Sequence, residues 1–248
     1  GSLFHYGGKD RHSRGHPRLI HISVFSEPRV LYNEGCERLN FITAVSTIYV
    51  AAFVLIYIVA ACKNVRIKAT QLYALTFGFI LSLSIIAFFT KPYKDDDLTF
   101  YYQLLQEMRQ NGLRWTLTES IYASDVVVNL YFYLIAWTGV FQLLPALSIA
   151  IIYSLLFASL YQIQNRYKTS PYSLLFFLIV HFSFLFFRWT LSGIRNYLAF
   201  ALFAYAVIRE FALKKQGPLN WVLYLTATFT HFSLAFFLLI RVLCSRRL

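Results

Sequence analysis

Carboxylates are scarce in this chain. Eleven Asp and Glu stand against 23 Lys and Arg in 248 residues, and charges of both signs make up 14% of it. A soluble domain carries about 25%, so there is too little charge here to coat a water-facing surface. Cysteine is equally rare. Cys36, Cys62 and Cys244 lie far apart without CxxC spacing, which argues against a disulfide framework and a zinc ribbon. The chain also lacks GxxxxGK[ST], GxGxxG and HExxH, leaving P-loop, dinucleotide and zincin chemistry without a motif. No cofactor and no metal site is expected.

Apolar residues fill the space, at 58% with a mean hydropathy of +0.55. They come in continuous blocks, several long enough for the roughly 20 residues that cross a bilayer as helix. A membrane β-barrel would show short alternating segments instead. The expected fold is all-α, a polytopic integral membrane bundle of about six spans. These are placed near 41–61, 70–90, 142–163, 172–190, 194–212 and 219–240. The segment 126–139 is apolar but short, which predicts a re-entrant or interfacial helix.

Residues 1–38 differ. They hold Gly7-Gly8, Pro17, Pro28, scattered Arg and four of the six histidines, and are expected to be a disordered or non-native leader. His12, His16 and His21 have no cysteine or carboxylate pattern to make a metal site with them. Residues 39–248 form the transmembrane domain, with an external segment over 91–141. The net charge of +12 is explained by loops rather than nucleic acid. Lys63, Arg66 and Lys68, then Arg166 and Lys168, then Arg209, Lys214 and Lys215 flank spans, and the positive-inside rule makes these loops cytoplasmic.

That orientation places the unusual polar residues outside. Arg188 and Arg195 sit in an otherwise apolar stretch, where a cation at mid-bilayer costs roughly 2.5–3.5 kcal/mol. Ser192 and Gly193 interrupt the run and are positioned to cap a helix starting at Ile194. Two guanidinium forks beside the amides of a helix start favour a phosphate or diphosphate; snorkelling of both side chains to lipid headgroups is the alternative. His231 is expected inside the last span, roughly 14 Å below its outer end at 1.5 Å per residue. Thr226, Thr230 and Ser233 form a polar stripe near it. It is the first candidate for a general base; a packing role is the alternative. His181, flanked by bulky apolar residues, reads as structural.

The run Asp95-Asp96-Asp97 precedes LTFYYQLLQEMRQNG. Asp97 suits an N-cap. Leu98, Tyr101 or Tyr102, Leu105 and Met108 make an apolar stripe opposite Gln103, Gln106 and Gln110, predicting an amphipathic interfacial helix. The aspartates cap and solvate it, or else serve sugar recognition or base catalysis with tyrosines as stacking platforms.

Three marks in this order resemble the EpsG/Wzy-like family of bacterial exopolysaccharide and O-antigen polymerases. They are DDDLTFYY, then SGIRNYLAFALFAYAV, then HFSLAFFLLI. The resemblance covers about 41–248. Family members continue through further spans, so the chain looks C-terminally truncated, and the leader matches nothing in the family. The resemblance implies a multi-pass glycosyltransferase of the bacterial cytoplasmic (inner) membrane. It would join oligosaccharide repeat units carried on undecaprenyl diphosphate, in the lipid bilayer and alongside other polysaccharide assembly proteins. Arg188 and Arg195 would bind the diphosphate, and Tyr101 and Tyr102 the sugar. His231, or one of Asp95, Asp96 and Asp97, would be the base. Other lipid-linked-sugar transferases or ligases, and a polysaccharide transporter or flippase, are the competing expectations.

Overall fold

The computed structural model describes residues 48, 51–53, 55, 58, 59, 69–92, 97–168 and 187–245. The leader 1–38 and most of the expected spans 41–61 and 172–190, with His181, lie outside them. All regular structure among the described residues is helical. In order these are α1 (Ala69–Phe89), α2 (Asp97–Thr118), α3 (Val126–Thr138), α4 (Leu143–Tyr167), α5 (Phe187–Ser192) and α6 (Ile194–Val207). A π-helical turn Ile208–Ala212, α7 (Pro218–Thr230), a 3-10 turn Phe232–Leu234 and α8 (Ala235–Ser245) complete the set. By length and composition α4 alone among the described helices passes as a membrane crossing; the apolar stretches Tyr73–Phe89, Val126–Thr138 and Phe232–Leu243 are shorter.

The 25-residue α4 is the central strut. Aromatic contacts pack α1 against it: Phe79 meets Tyr153 at 6.3 Å and Phe157 at 5.7 Å, and Phe53 stacks on Phe79 at 4.5 Å. Thr76 hydrogen-bonds Tyr161, so the two helices run in opposite directions. On the other side α6 follows α4 in the same direction. Gln162 Nε2 donates to the Tyr205 hydroxyl at 3.0 Å, and the Tyr167 hydroxyl donates to the Ala212 carbonyl at 2.5 Å. One end of the bundle therefore gathers Arg166, Lys168, Arg209, Lys214 and Lys215. The other end carries the start of α6.

Over that second end lie α2 and α3. The amphipathic pattern of α2 is obeyed: Leu98, Tyr101, Leu104, Leu105 and Met108 are buried, while Gln103, Gln106 and Gln110 are exposed. Tyr101 meets Phe132 edge-on at 5.4 Å. The Arg109 guanidinium lies over Gly139, the left-handed residue (φ 75°) that ends α3. A cation at the carbonyl end of a helix is a favourable placement. The two pairings make α2 and α3 neighbours pointing the same way, with both N-termini toward the bundle. The kink at Gly112 (φ 81°) ends the straight part of α2. Glycine tolerates that angle at no steric cost. The short apolar segment 126–139 is thus the 13-residue helix α3, too short to cross a bilayer.

The expected single span 219–240 is two helices. α7 stops at Thr230, His231 is extended (φ −151°, ψ 106°), and α8 begins at Ala235. Neither Pro nor Gly marks the break. The run Thr226, Thr228, Thr230 leads into it. Thr228 and Thr230 turn their hydroxyls back onto the carbonyls of Tyr224 and Thr226, a bond that bends helices. After the break α8 returns along α7. Phe237 packs on Phe203 at 6.1 Å, and Arg241 stacks over Trp221 at 4.6 Å and pairs with Glu210. His231 therefore stands at a hairpin apex rather than within a continuous span.

Candidate functional site

Asp125 is the hub of this apex. It is the residue before α3, and its side chain is 3% exposed. Oδ2 accepts a hydrogen bond from Arg195 Nη1 at 2.8 Å, and Oδ1 accepts the Phe232 backbone N–H at 3.0 Å. His231 Nδ1 stands 3.9 Å from the same Oδ2, too far for a hydrogen bond but within Coulombic reach. One carboxylate so ties together the starts of α3 and α6 and the break between α7 and α8. The partners are 70 and 107 residues away in the chain. The break in the last hairpin supplies the N–H that Asp125 takes up, since Phe232 has left the helical ladder.

Arg195 is held on two sides. Besides Asp125, its guanidinium carbon lies 4.0 Å from the centre of the Tyr122 ring. Its Nε is buried with no hydrogen-bond partner among the described residues. A stacked, planar guanidinium that retains a spare donor is suited to a further acceptor. Tyr122 is fixed in turn by Asn129, whose Nδ2 donates to the Tyr122 carbonyl at 2.6 Å. Burial pushes the Tyr101 and Tyr122 hydroxyls up, and Arg195 pulls both the other way. Both stay protonated donors at neutral pH.

Helix starts crowd this region. The Ser192 hydroxyl donates to Asp97 Oδ2 at 3.2 Å, bringing the first turn of α2 to the junction of α5 and α6. Gly193, which has no side chain to cap with, is the N-cap of α6, and Ser192 beside it binds Asp97. Asp97 is itself the first residue of α2. The N-terminal ends of α2, α3 and α6 and the turn at Phe232 thus share one neighbourhood. Each carries partial positive charge.

The structure brings Arg195, His231 and Asp97 to the same end of the bundle. Asp95 and Asp96 lie outside the described residues. Arg188 is in α5, but its side chain lies outside them. Tyr101 is 5% exposed and packs on Phe132. Tyr102 is half-buried, and its hydroxyl has no partner among the described residues. Sequence reasoning missed Asp125 and Tyr122. Asp125 carried one signal, a lone carboxylate against a 13-residue apolar segment. Among the described residues no three His, Cys, Asp or Glu side chains gather where a metal ion could be held.

No protein-family model, curated protein or solved structure matches the chain. The chemistry of this end of the bundle is therefore the ground for a functional reading.

Proposed function

We propose that the protein is a membrane-embedded glycosyltransferase of polymerase type. It joins undecaprenyl-diphosphate-linked oligosaccharide repeat units at the outer face of the bacterial cytoplasmic membrane. The observation that carries this reading is the meeting of Arg195, Asp125 and His231 at a cluster of helix starts, at the end away from the basic loops. A cation, spare amide donors and an imidazole at one membrane face suit an anionic lipid-linked donor and a hydroxyl acceptor.

In this reading Arg195, with Arg188, holds the diphosphate and stabilises the charge that develops on it. The base is His231, with Asp95, Asp96 or Asp97 as the alternative. Asp125 Oδ2 lies 3.9 Å from Nδ1 of His231, near enough to stabilise the imidazolium formed when His231 takes the proton. The acceptor hydroxyl gives its proton to the base as its oxygen bonds to the anomeric carbon. The bond from that carbon to the diphosphate oxygen breaks, and its electron pair leaves with the lipid diphosphate. Tyr102 would line the sugar side, and Tyr101, buried against Phe132, would support it from behind rather than stack on a sugar. The polytopic bundle belongs to the same proposal, with Leu143–Tyr167 as its clearest crossing and the 219–240 hairpin replacing one of the six expected spans.

The test is polymer formation by the purified protein given lipid-linked repeat units. Arg195→Ala should abolish the ladder while the protein elutes and melts as a folded species. An unchanged ladder removes the claim. A ligase, using the same donor, would add one block instead of a ladder. The broken helix at His231 favours a second reading, a transporter of lipid-linked oligosaccharide, since transporters build midplane sites from interrupted helices. Movement of the labelled lipid across vesicles without a new glycosidic bond would select it.

A further inference from the structure

The α7–α8 hairpin is held down at two points. At its apex the Phe232 N–H binds Asp125 and Leu234 is fully buried. Some 10 residues further along α8, at about 1.5 Å per residue, Arg241 reaches Glu210 in the π-helical turn after α6. Between these points α8 has little to hold it. None of its described side chains is buried, and Phe236, Phe237, Leu239, Ile240 and Leu243 are exposed. Among the described residues its ring contact with the bundle is Phe237 on Phe203. Directional polar bonds at its two ends therefore add to a thin apolar contact made by half-buried Ala235, Leu238 and Val242.

The lower anchor is built accordingly. Glu210 is 6% exposed. Its Oε2 accepts Arg241 Nε at 3.0 Å and the Tyr224 hydroxyl at 2.8 Å, and Oε1 accepts Arg241 Nη2. Trp221 and Tyr224 present their rings to the guanidinium at 4.6 and 5.7 Å. The π turn matters here, because an inserted residue re-aims the side chains of its helix, and such bulges recur at functional positions. A buried carboxylate with three donors is stable only while all of them stay in place.

We infer that Arg241 is a positioning residue: by clamping α8 to Glu210 it holds the His231–Phe232 break against Asp125 and Arg195. The inference rests on the reading of His231 as a base, yet it concerns geometry that is measurable without polymer. Loss of the clamp frees the one helix whose start supplies Phe232. His231 then leaves the vicinity of Asp125 while Arg195, on α6, stays where it is. Diphosphate binding survives and proton transfer fails.

The experiment uses the full chain in detergent micelles. The wild type, Arg241→Ala and Arg241→Lys are treated with diethyl pyrocarbonate, and modification of the His231 peptide is followed by mass spectrometry. His231 is 20% exposed, so its reaction should speed up by about tenfold or more in Arg241→Ala as the apex opens. Arg241→Lys, which keeps the charge but not the fork, should fall between. In the polymer assay Arg241→Ala should lower kcat with KM for the lipid donor nearly unchanged. If Arg241→Ala does not fold, Arg241→Lys carries the same two readouts alone. An unchanged His231 rate, or a faster rate with normal kcat, overturns the inference. Should the wild type form no polymer, the functional reading fails, and the His231 rates still decide whether Arg241 seats the apex.

Discussion

Replacing Asp125 by alanine removes two things together, the acceptor for the Phe232 N–H and the counter-charge of Arg195. The carboxylate is 3% exposed and the arginine 21%. Phe232 is 60% exposed, so its unpaired N–H costs at the low end of about 1–3 kcal/mol, while losing one member of a buried ion pair costs about 3–5 kcal/mol. Arg195 keeps some contact with water, which screens its share, so about 3 kcal/mol for the whole change is the expected loss. For a chain of this size that lowers Tm by about 6–12 °C. Thermal unfolding of the detergent-solubilised protein reads it directly. Asp125→Asn retains an acceptor for Phe232 and loses only the charge, and should fall about half as far. The apolar pair Asp125→Leu with Arg195→Met leaves no buried charge unpaired. It still leaves the Phe232 N–H without its acceptor, so it should lose about 1–3 kcal/mol, and it should make no polymer. Asp125→Ala melting within about 2 °C of the wild type would refute the claim that this carboxylate joins the three elements.

Gly139→Ala should destabilise by about 1–2 kcal/mol, because the left-handed angle penalises any Cβ. A methyl there also meets the Arg109 guanidinium at 3.0 Å. Thermal melts of Gly139→Ala in an Arg109→Ala background separate the two causes, since relief of the contact leaves the backbone strain in place. Tyr102→Phe deletes a buried hydroxyl that has no partner among the described residues and should leave Tm unchanged or raise it. Burial pushes the Tyr102 hydroxyl up to about 12, so between pH 10 and 12 the folded state holds a proton that the unfolded state has lost. Stability should therefore fall as pH rises through that window, and the Phe variant should lose this part of the decline.

Much of the helical pattern was legible in the sequence. The stripe from Leu98 to Met108 repeats at helical spacing, and its buried and exposed sides follow that spacing. The short apolar segment ending at Gly139 declared its own length. The break at His231 was not legible. TATFTHFSLAFF contains no residue that forbids helix, and its apolar content continues on both sides. The distant Asp125 offers Phe232 an alternative acceptor, whereas back-bonding alone leaves a helix intact, as Ser84 and Ser159 show. Pairing was harder still. Arg195 and His231 stood out as costly residues, but nothing local says that the carboxylate between them lies 70 residues upstream of one and more than 100 upstream of the other. Asp97 was expected to cap its helix, yet its partner is Ser192, a contact that exists only once α5 and α2 have docked.

The returning hairpin has a consequence for topology. Within the membrane reading, a hydropathy profile scores 219–240 as one crossing and assigns Gln216 and Ser245 to opposite compartments. Two half-length helices that double back change the parity of that count. Both residues then fall in the same compartment, and tags fused behind either one should give the same sidedness signal.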